Sequence, residues 1–284
     1  MSYAIRILQA NDIQLLKDMD TGIENDYVIR VFDRLTQWPN RMFGLFLDGR
    51  LVSVGGISIY AGSYAMLGRI RTDRRYKGKG FASEIMSCMK DEAFRDEKIQ
   101  WVGANTQEEN LPARRVMKKI GLNEYTMLYG TLTKDTSMLE SGAMPWKQIT
   151  NLEQKKKWLH QTFIQPGNVF PYECYYPFPA TANLFQDSEL HTWTFYENAD
   201  ASRFLITKPD QKKHHYLHAV YPWSDLTDQK GLWETISRDY RHLAEQIGEE
   251  TYIWMDLTKE EVQTLPADHA FILKSPWILH GVNR

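Results

Sequence analysis

Apolar residues recur along this chain with two periods, and the change from one to the other marks out its elements. Alternation over residues 4–8 predicts a first strand. Asn11 or Asp12 can then cap a helix that buries Ile13, Leu15, Leu16 and Met19. Residues 27–36 carry Val28, Val31, Phe32 and Leu35 on one helical face. Residues 43–47 and 51–59 read as a hairpin around Asp48-Gly49-Arg50, because Asp-Gly tolerates positive φ. A strand over 64–72, a helix over 81–94, a strand over 99–104, a helix over 111–120 stopped by Gly121 and a strand over 125–133 follow. Residues 135–145 lack periodicity and read as a linker.

The second half begins with a predicted helix over 146–162. An irregular stretch over 165–182, rich in proline and aromatics, comes next. Strands over 191–196, 203–207 and 215–221 lead to a helix over 231–247. A strand over 251–257, a short helix over 259–265 and a strand over 270–280 end the chain. The order of elements resembles that of the first half without a sequence repeat. The expected organisation is two tandem α/β units, residues 1–134 and 146–284, joined by 135–145.

Composition narrows the class. The chain has 284 residues, 43% hydrophobic and 25% charged, which suits a globular protein of two domains. No run approaches the roughly 20 apolar residues of a membrane span. The N-terminus lacks a signal-peptide pattern. Two cysteines, Cys88 and Cys174, exclude a disulfide scaffold and fit the cytoplasm. The net charge of -2 divides into +2 over residues 1–143 and -4 over 144–284. Neither half is basic enough for nucleic acid. The expected associations therefore include no nucleic acid and no membrane, and a homodimer is compatible with the sequence.

Charge is informative only locally. Arg69, Arg71, Arg74, Arg75, Lys77 and Lys79 crowd into eleven positions, with Gly78 inside the run and Gly80 directly after it. Here a strand ends, a glycine-containing loop turns and a helix begins. Such a turn presents backbone N–H groups at a helix N-terminus, which is an anion site. The chemistry expected is phosphate binding, most simply a pyrophosphate. A P-loop is excluded by the missing Gly-Lys-Ser/Thr, and a Rossmann loop by the missing third glycine.

The segment Tyr76-Lys77-Gly78-Lys79-Gly80-Phe81-Ala82-Ser83 resembles the acetyl-CoA pyrophosphate loop of the GNAT superfamily of N-acetyltransferases. The family pattern Arg/Gln-x-x-Gly-x-Gly/Ala falls on Lys77, Gly80 and Ala82. A second register, on Arg75, Gly78 and Gly80, also fits. Ile5-Arg6-Ile7 with Ala10-Asn11-Asp12 resembles the family's first strand and cap. Ile70-Arg71-Thr72 resembles the end of its fourth strand. The run from Asn110 through Ala113 and Met117 to Gly121 resembles its CoA-contacting helix. The resemblance covers about residues 3–133.

The resemblance implies a mixed, largely antiparallel sheet flanked by helices, and acetyl-CoA as co-substrate. It implies cofactor contacts from Ile70, Arg71, Thr72, Lys77, Gly78, Lys79, Gly80, Phe81, Ala82, Ser83, Asn110, Ala113 and Met117. It implies direct transfer, in which a neutral amine of a small or amino-acid-like acceptor attacks the thioester and a strand N–H near residues 70–72 stabilises the oxyanion. Relatives often place a tyrosine where Met117 stands, as acid for the departing thiolate. Methionine has no proton to give. Tyr125 and Tyr129 are candidate substitutes, with strand packing as their alternative role. Glu24 and Asp26 fall where relatives border the acceptor. Either serves as base or amine-binding group, or is a solvated surface carboxylate that only aids solubility.

The second half lacks the glycine loop, and Asp225 and Asp228 stand near its expected place, so no cofactor is expected there. All eight histidines lie in this half. Without an adjacent cysteine or carboxylate pattern they read as strand-surface residues, and no metal is expected. Three function classes remain: an acetyl-CoA N-acetyltransferase, a transferase of longer acyl chains, and a non-catalytic acyl-CoA sensor.

Overall fold

The computed structural model describes residues 3–284. By their contacts the residues form two units, one of Met1–Tyr125 with Leu279–Arg284 and one of Thr126–Ile278. The division falls at residue 125 rather than in a linker over 135–145, and the last six residues return to the first unit. None of the helices described is long and apolar enough to cross a membrane.

The first unit opens with β1 (Tyr3–Leu8), followed by three short helices, α1 (Ile13–Lys17), α2 (Tyr27–Arg30) and α3 (Phe32–Leu35). The helix expected over 27–36 is split at Val31, whose φ of -112° leaves the helical range. β2 (Asn40–Leu47), β3 (Arg50–Tyr60) and β4 (Tyr64–Thr72) form an antiparallel meander with β1 at its edge. α4 (Phe81–Arg95) then crosses to β5 (Trp101–Gln107), which pairs with β4 in parallel. α5 (Leu111–Lys119) leads into β6 (Asn123–Thr133), which leaves the unit after Tyr125.

Helices cover both faces of this sheet. Leu16, Val28, Phe32 and Leu35 pack with Leu8, Met42 and Val54 on one side. Ile85, Met86, Met89 and Ala93 of α4 pack with Leu45, Val52 and Leu67 on the other. Each fully buried side chain of this size contributes about 1.5–3 kcal/mol of transfer free energy. Beyond β5 the sheet continues with Leu279–Arg284. The Trp101 ring lies over Gly103 and Gly281, where a Cβ would come within 2.1 and 2.3 Å of it.

In the second unit β7 (Lys147–Ile149), α6 (Leu152–Leu159) and a π turn, His160–Ile164, replace the single helix expected over 146–162. Asn151 ends the strand and caps the helix through the Gln154 amide at 3.0 Å. The stretch read as irregular contains a hairpin, β8 (Val169–Glu173) and β9 (Tyr176–Pro179). α7 (Asp187–Thr192) precedes a shorter strand, β10 (Thr194–Glu197). β11 (Phe204–Gln211), β12 (His215–Val220), α8 (Leu232–Ile247), β13 (Thr251–Leu257) and α9 (Lys259–Thr264) follow the expected order. The last predicted strand is two, β14 (Ile272–Leu273) and β15 (Trp277–Asn283).

The sheet order of this unit is β6-β13-β12-β11-β10-β7, with β12 and β13 parallel. α8 covers one face through Leu232, Trp233 and Ile236. The opposite face carries Cys174 and Tyr175 from the hairpin against Tyr216 and Trp254. α8 begins after Gly231, a left-handed N-cap with φ of 82°. A Cβ there would meet the Met144 carbonyl at 2.4 Å. Trp146 packs beside it and donates from Nε1 to the Lys230 carbonyl at 2.8 Å.

A candidate cofactor site in the first unit

The site of the first unit starts with a strand irregularity. Opposite Gly55 the β3–β4 register slips, and β4 supplies two residues, Arg69 and Ile70, against one. Arg69 takes a φ of 59°, as one residue of a bulge can. Gly55 allows the crowding, because a Cβ there would lie 2.7 Å from both Ile70 Cδ1 and Met89 Cε. The parallel β4–β5 ladder ends just before the bulge, at Leu67↔Ala104. Residues 68–72 therefore turn toward the cavity an edge that β5 does not pair.

A cavity of about 870 Å³ occupies the wedge. Its floor is the opened edge, with Asn105 and Thr106 of β5 facing it. One wall is the start of α4. There Gly80 is a left-handed N-cap with φ of 86° and Gly78 has φ of 79°. Space around both is open, so backbone conformation rather than crowding requires glycine. The amides of Phe81 and Ala82 begin the helix, where no intrahelical acceptor exists. The other wall is the start of α5, capped by Asn110 Oδ1, which accepts from the Ala113 amide at 3.3 Å.

Half of the basic run is neutralised within the protein. Arg71 binds Asp26, Arg74 binds Asp20 at 3.1 Å and Arg75 binds Asp73 at 2.5 Å. Asp73 is fully buried and also accepts from the Asp20 and Arg75 amides. The Arg75 guanidinium above all, with these amides, pulls its carboxyl down to about 2. Asp73 thus pins the turn from which the loop departs. Lys77 and Lys79 have no carboxylate partner among the described residues, and Lys79 Nζ lies 5.1 Å over the Tyr76 ring. Gly22 admits the Arg74 guanidinium, which would be 2.4 Å from a Cβ.

Ile70, Arg71, Thr72, Lys77, Gly78, Gly80, Phe81, Ala82, Ser83, Asn110, Ala113 and Met117 all line the cavity. Lys79 does not. Tyr125, Tyr129 and Glu24 are also absent from its lining. Tyr125 packs edge-on against Trp101 with ring centroids 6.1 Å apart. Tyr129 pairs with Leu257 in the second unit. Glu24 is exposed on a turn. Asp26 is committed: it caps α2 through the Val28 amide and holds Arg71. Burial pushes its carboxyl up, but the Arg71 and Val28 bonds outweigh that and hold it below the usual range. Sequence reasoning missed Thr21, Gly22, Ile23, Thr106 and Arg115, which also line the cavity. The Thr-Gly pair was the one available signal, a turn after α1.

Residues 17–123, within the first unit, match the acetyltransferase (GNAT) domain. A stretch of 47 residues, 16% of the chain, is 40% identical to the uncharacterized N-acetyltransferase YnaD of Bacillus subtilis. The match spans 28% of that relative's length. The fold of a GCN5-related N-acetyltransferase from Sphaerobacter thermophilus matches 99% of this chain and 95% of its own, at 13% identity and a TM-score of 0.56. A solved structure from Thermoplasma acidophilum, assigned as an acetyltransferase, matches 99% of this chain and 100% of its own, at 15% identity and a TM-score of 0.52.

Proposed function

We propose that the first unit transfers the acetyl group of acetyl-CoA to the nitrogen of a small amine or amino-acid-like acceptor, by direct attack without a covalent enzyme intermediate. The observation that carries this reading is the opened β4 edge meeting the glycine-capped start of α4 in one cavity. The amides from Gly78 to Ala82 suit a pyrophosphate, with Lys77 and the helix dipole adding positive field. The unpaired edge at residues 70–72 suits the amide groups of a pantetheine arm and a developing oxyanion. Ala113 and Met117 give an apolar border to the thioester end.

In such a transfer the amine nitrogen bonds to the acetyl carbon, the C–S bond breaks and the thiolate leaves. Met117 offers no proton to the leaving sulfur. A positioned acid contributes about 10²–10⁴-fold, and a thiol of pKa near ~8.5 leaves as thiolate without one. Met117 is also the observation that favours a second reading, an acyl-CoA sensor without turnover. The cytoplasm, where Cys88 and Cys174 would not be driven to form a disulfide, is the compartment that fits.

The second unit is proposed as a diverged GNAT-like domain. In support, its parallel strands β12 and β13 are joined by α8, a helix with a left-handed glycine cap, as β4 and β5 of the first unit are joined by α4. The test is an assay of thiol release from acetyl-CoA with an amine panel, repeated with longer acyl-CoA thioesters. Turnover fastest with acetyl-CoA supports the proposal. Preference for longer chains reassigns the donor, and binding without turnover selects the sensor.

A further inference from the structure

The second unit buries a set of metal-ligating side chains that the sequence keeps apart. Cys174 sits at the tip of the β8–β9 hairpin, Asp210 near the end of β11 and His218 in the middle of β12. The Cys174 sulfur, one Asp210 carboxylate oxygen and one His218 ring nitrogen lie within 4.8 Å of one another. Cys174 and His218 are fully buried. His218 was expected on the strand surface, but the β8–β9 hairpin covers this face of the sheet.

The imidazole identifies what is missing. Its Nε2 faces Asp256 Oδ2 at 3.2 Å. Its Nδ1 is buried and has no hydrogen-bond partner among the described residues. A buried ring nitrogen without a partner is costly, commonly by about 1–3 kcal/mol. A carboxylate on one imidazole nitrogen, with the other left for a metal, is how proteins orient a metal-binding histidine.

We propose that Cys174, Asp210 and His218 through Nδ1 form a divalent-cation site of the zinc type, with Asp256 orienting the imidazole. A thiolate and an imidazole select zinc over magnesium or calcium, which take oxygen donors. Bonds of about 2.0–2.3 Å in tetrahedral geometry set ligand atoms roughly 3.3–3.8 Å apart, so a group now within 4.8 Å closes by up to about 1.5 Å. Binding forms a Zn–S bond and releases the thiol proton to solvent. The thiolate and the Asp210 carboxylate then balance the two charges of the ion.

The neighbouring cations leave room for it. Lys212 Nζ lies 3.0 Å from Asp210 and 2.7 Å from Glu173, and Glu173 remains as its counter-ion. Lys208, opposite His218 across the strands, donates to the Tyr172 carbonyl and lies 4.0 Å over the Trp193 ring. The ion would pin the hairpin tip to β11 and β12, a structural role separate from the acyl-CoA site.

The test uses the untagged full-length protein, loaded with Zn²⁺ or Co²⁺ and desalted. The expected result is about one metal per chain by elemental analysis. The Co²⁺ form should show a near-ultraviolet thiolate charge-transfer band. Cys174→Ser should abolish that band and Cys88→Ser should keep it. Asp256→Asn should weaken Zn²⁺ binding by about 10–100-fold, as loss of an orienting carboxylate does. Wild-type protein that retains no metal after desalting, or a Co²⁺ form without a thiolate band, overturns the proposal. So does a band that survives in Cys174→Ser. If Cys174→Ser fails to fold, the wild-type and Cys88→Ser spectra decide, because the chain has only these two thiols.

Discussion

Arg71 grips Asp26 with two parallel bonds, Nε to Oδ2 at 2.6 Å and Nη2 to Oδ1 at 2.8 Å, and fastens the β4 edge to the start of α2. The Asp26 side chain is 1% exposed and that of Arg71 13%. The pair makes Asp26 a structural anchor rather than a free base. Asp26→Asn would leave a mostly buried guanidinium without its counter-charge. The expected loss of stability is about 3 kcal/mol, the lower end for breaking a buried pair, read as a shift in urea denaturation. Loss of kcat with unchanged stability would instead make Asp26 the base.

Asp73 gives the fold an acid limit. Its carboxyl titrates at about 2 in the folded protein, below its ordinary value of 3.8. A depressed carboxyl contributes stability that is fully present above the unfolded value and lost as pH falls through the folded one. Stability should therefore decline between pH near 4 and 2, and Asp73→Asn should flatten that part of the profile while lowering stability at pH 7. Thermal melts across this range measure both. An unchanged acid limb in the variant would remove Asp73 from the account.

The last six residues belong to the first unit, and their removal tests how much that unit depends on them. The Arg284 amide donates to Gln100 O at 2.9 Å, and its guanidinium donates to Ile99 O at 2.9 Å and Phe94 O at 2.7 Å. Leu279 and His280 are buried. A chain ending at residue 278 would expose the edge of β5 and uncover Trp101, a liability for aggregation. It should be insoluble or inactive, as judged by size-exclusion chromatography and the transfer assay. A soluble, fully active truncation would show that the strand is dispensable.

Met117→Tyr should leave kcat equal or raise it, because it returns a proton donor to the cavity wall. Stability should fall by about 1–3 kcal/mol, because Met117 is packed in the core and tyrosine overfills its place. Tyr125→Phe and Tyr129→Phe should change kcat by less than about twofold, since neither residue lines the cavity. A large kcat loss in one of them alone would identify it as the acid.

Much of the first unit was legible because its signals are local. The Asp48-Gly49 turn, the alternation in β3 and β4, and the glycines before α4 each specify one element within a few residues. The glycine turn before α4 was legible for the same reason, since Gly78 lies two residues before Gly80, which caps the helix. The acid and base candidates were not. Tyr125 and Tyr129 are set by which face of β6 they occupy and which unit that strand enters. Asp26 looked free because its partner, Arg71, is 45 positions away. The hairpin at Tyr172 to Phe178 hid behind prolines that disfavour regular strands, and pairing across Phe170↔Phe178 overrode that preference. His218 read as a surface residue because the cover comes from a segment more than 35 positions earlier.

The central claim is that the glycine-capped start of α4 and the opened β4 edge bind acetyl-CoA for transfer to an amine. It is tested most directly by measuring thiol release and N-acetylated product with an amine panel, for the wild type and Gly80→Asp side by side. Gly80 needs its φ of 86°, and a side chain there adds left-handed strain of about 1–2 kcal/mol and a negative charge at the phosphate site. The account predicts wild-type product in step with thiol release, and kcat/KM for acetyl-CoA lower by at least about tenfold in the folded variant. Equal turnover in the two proteins, or wild-type protein that binds acetyl-CoA and acetylates no amine, would contradict it.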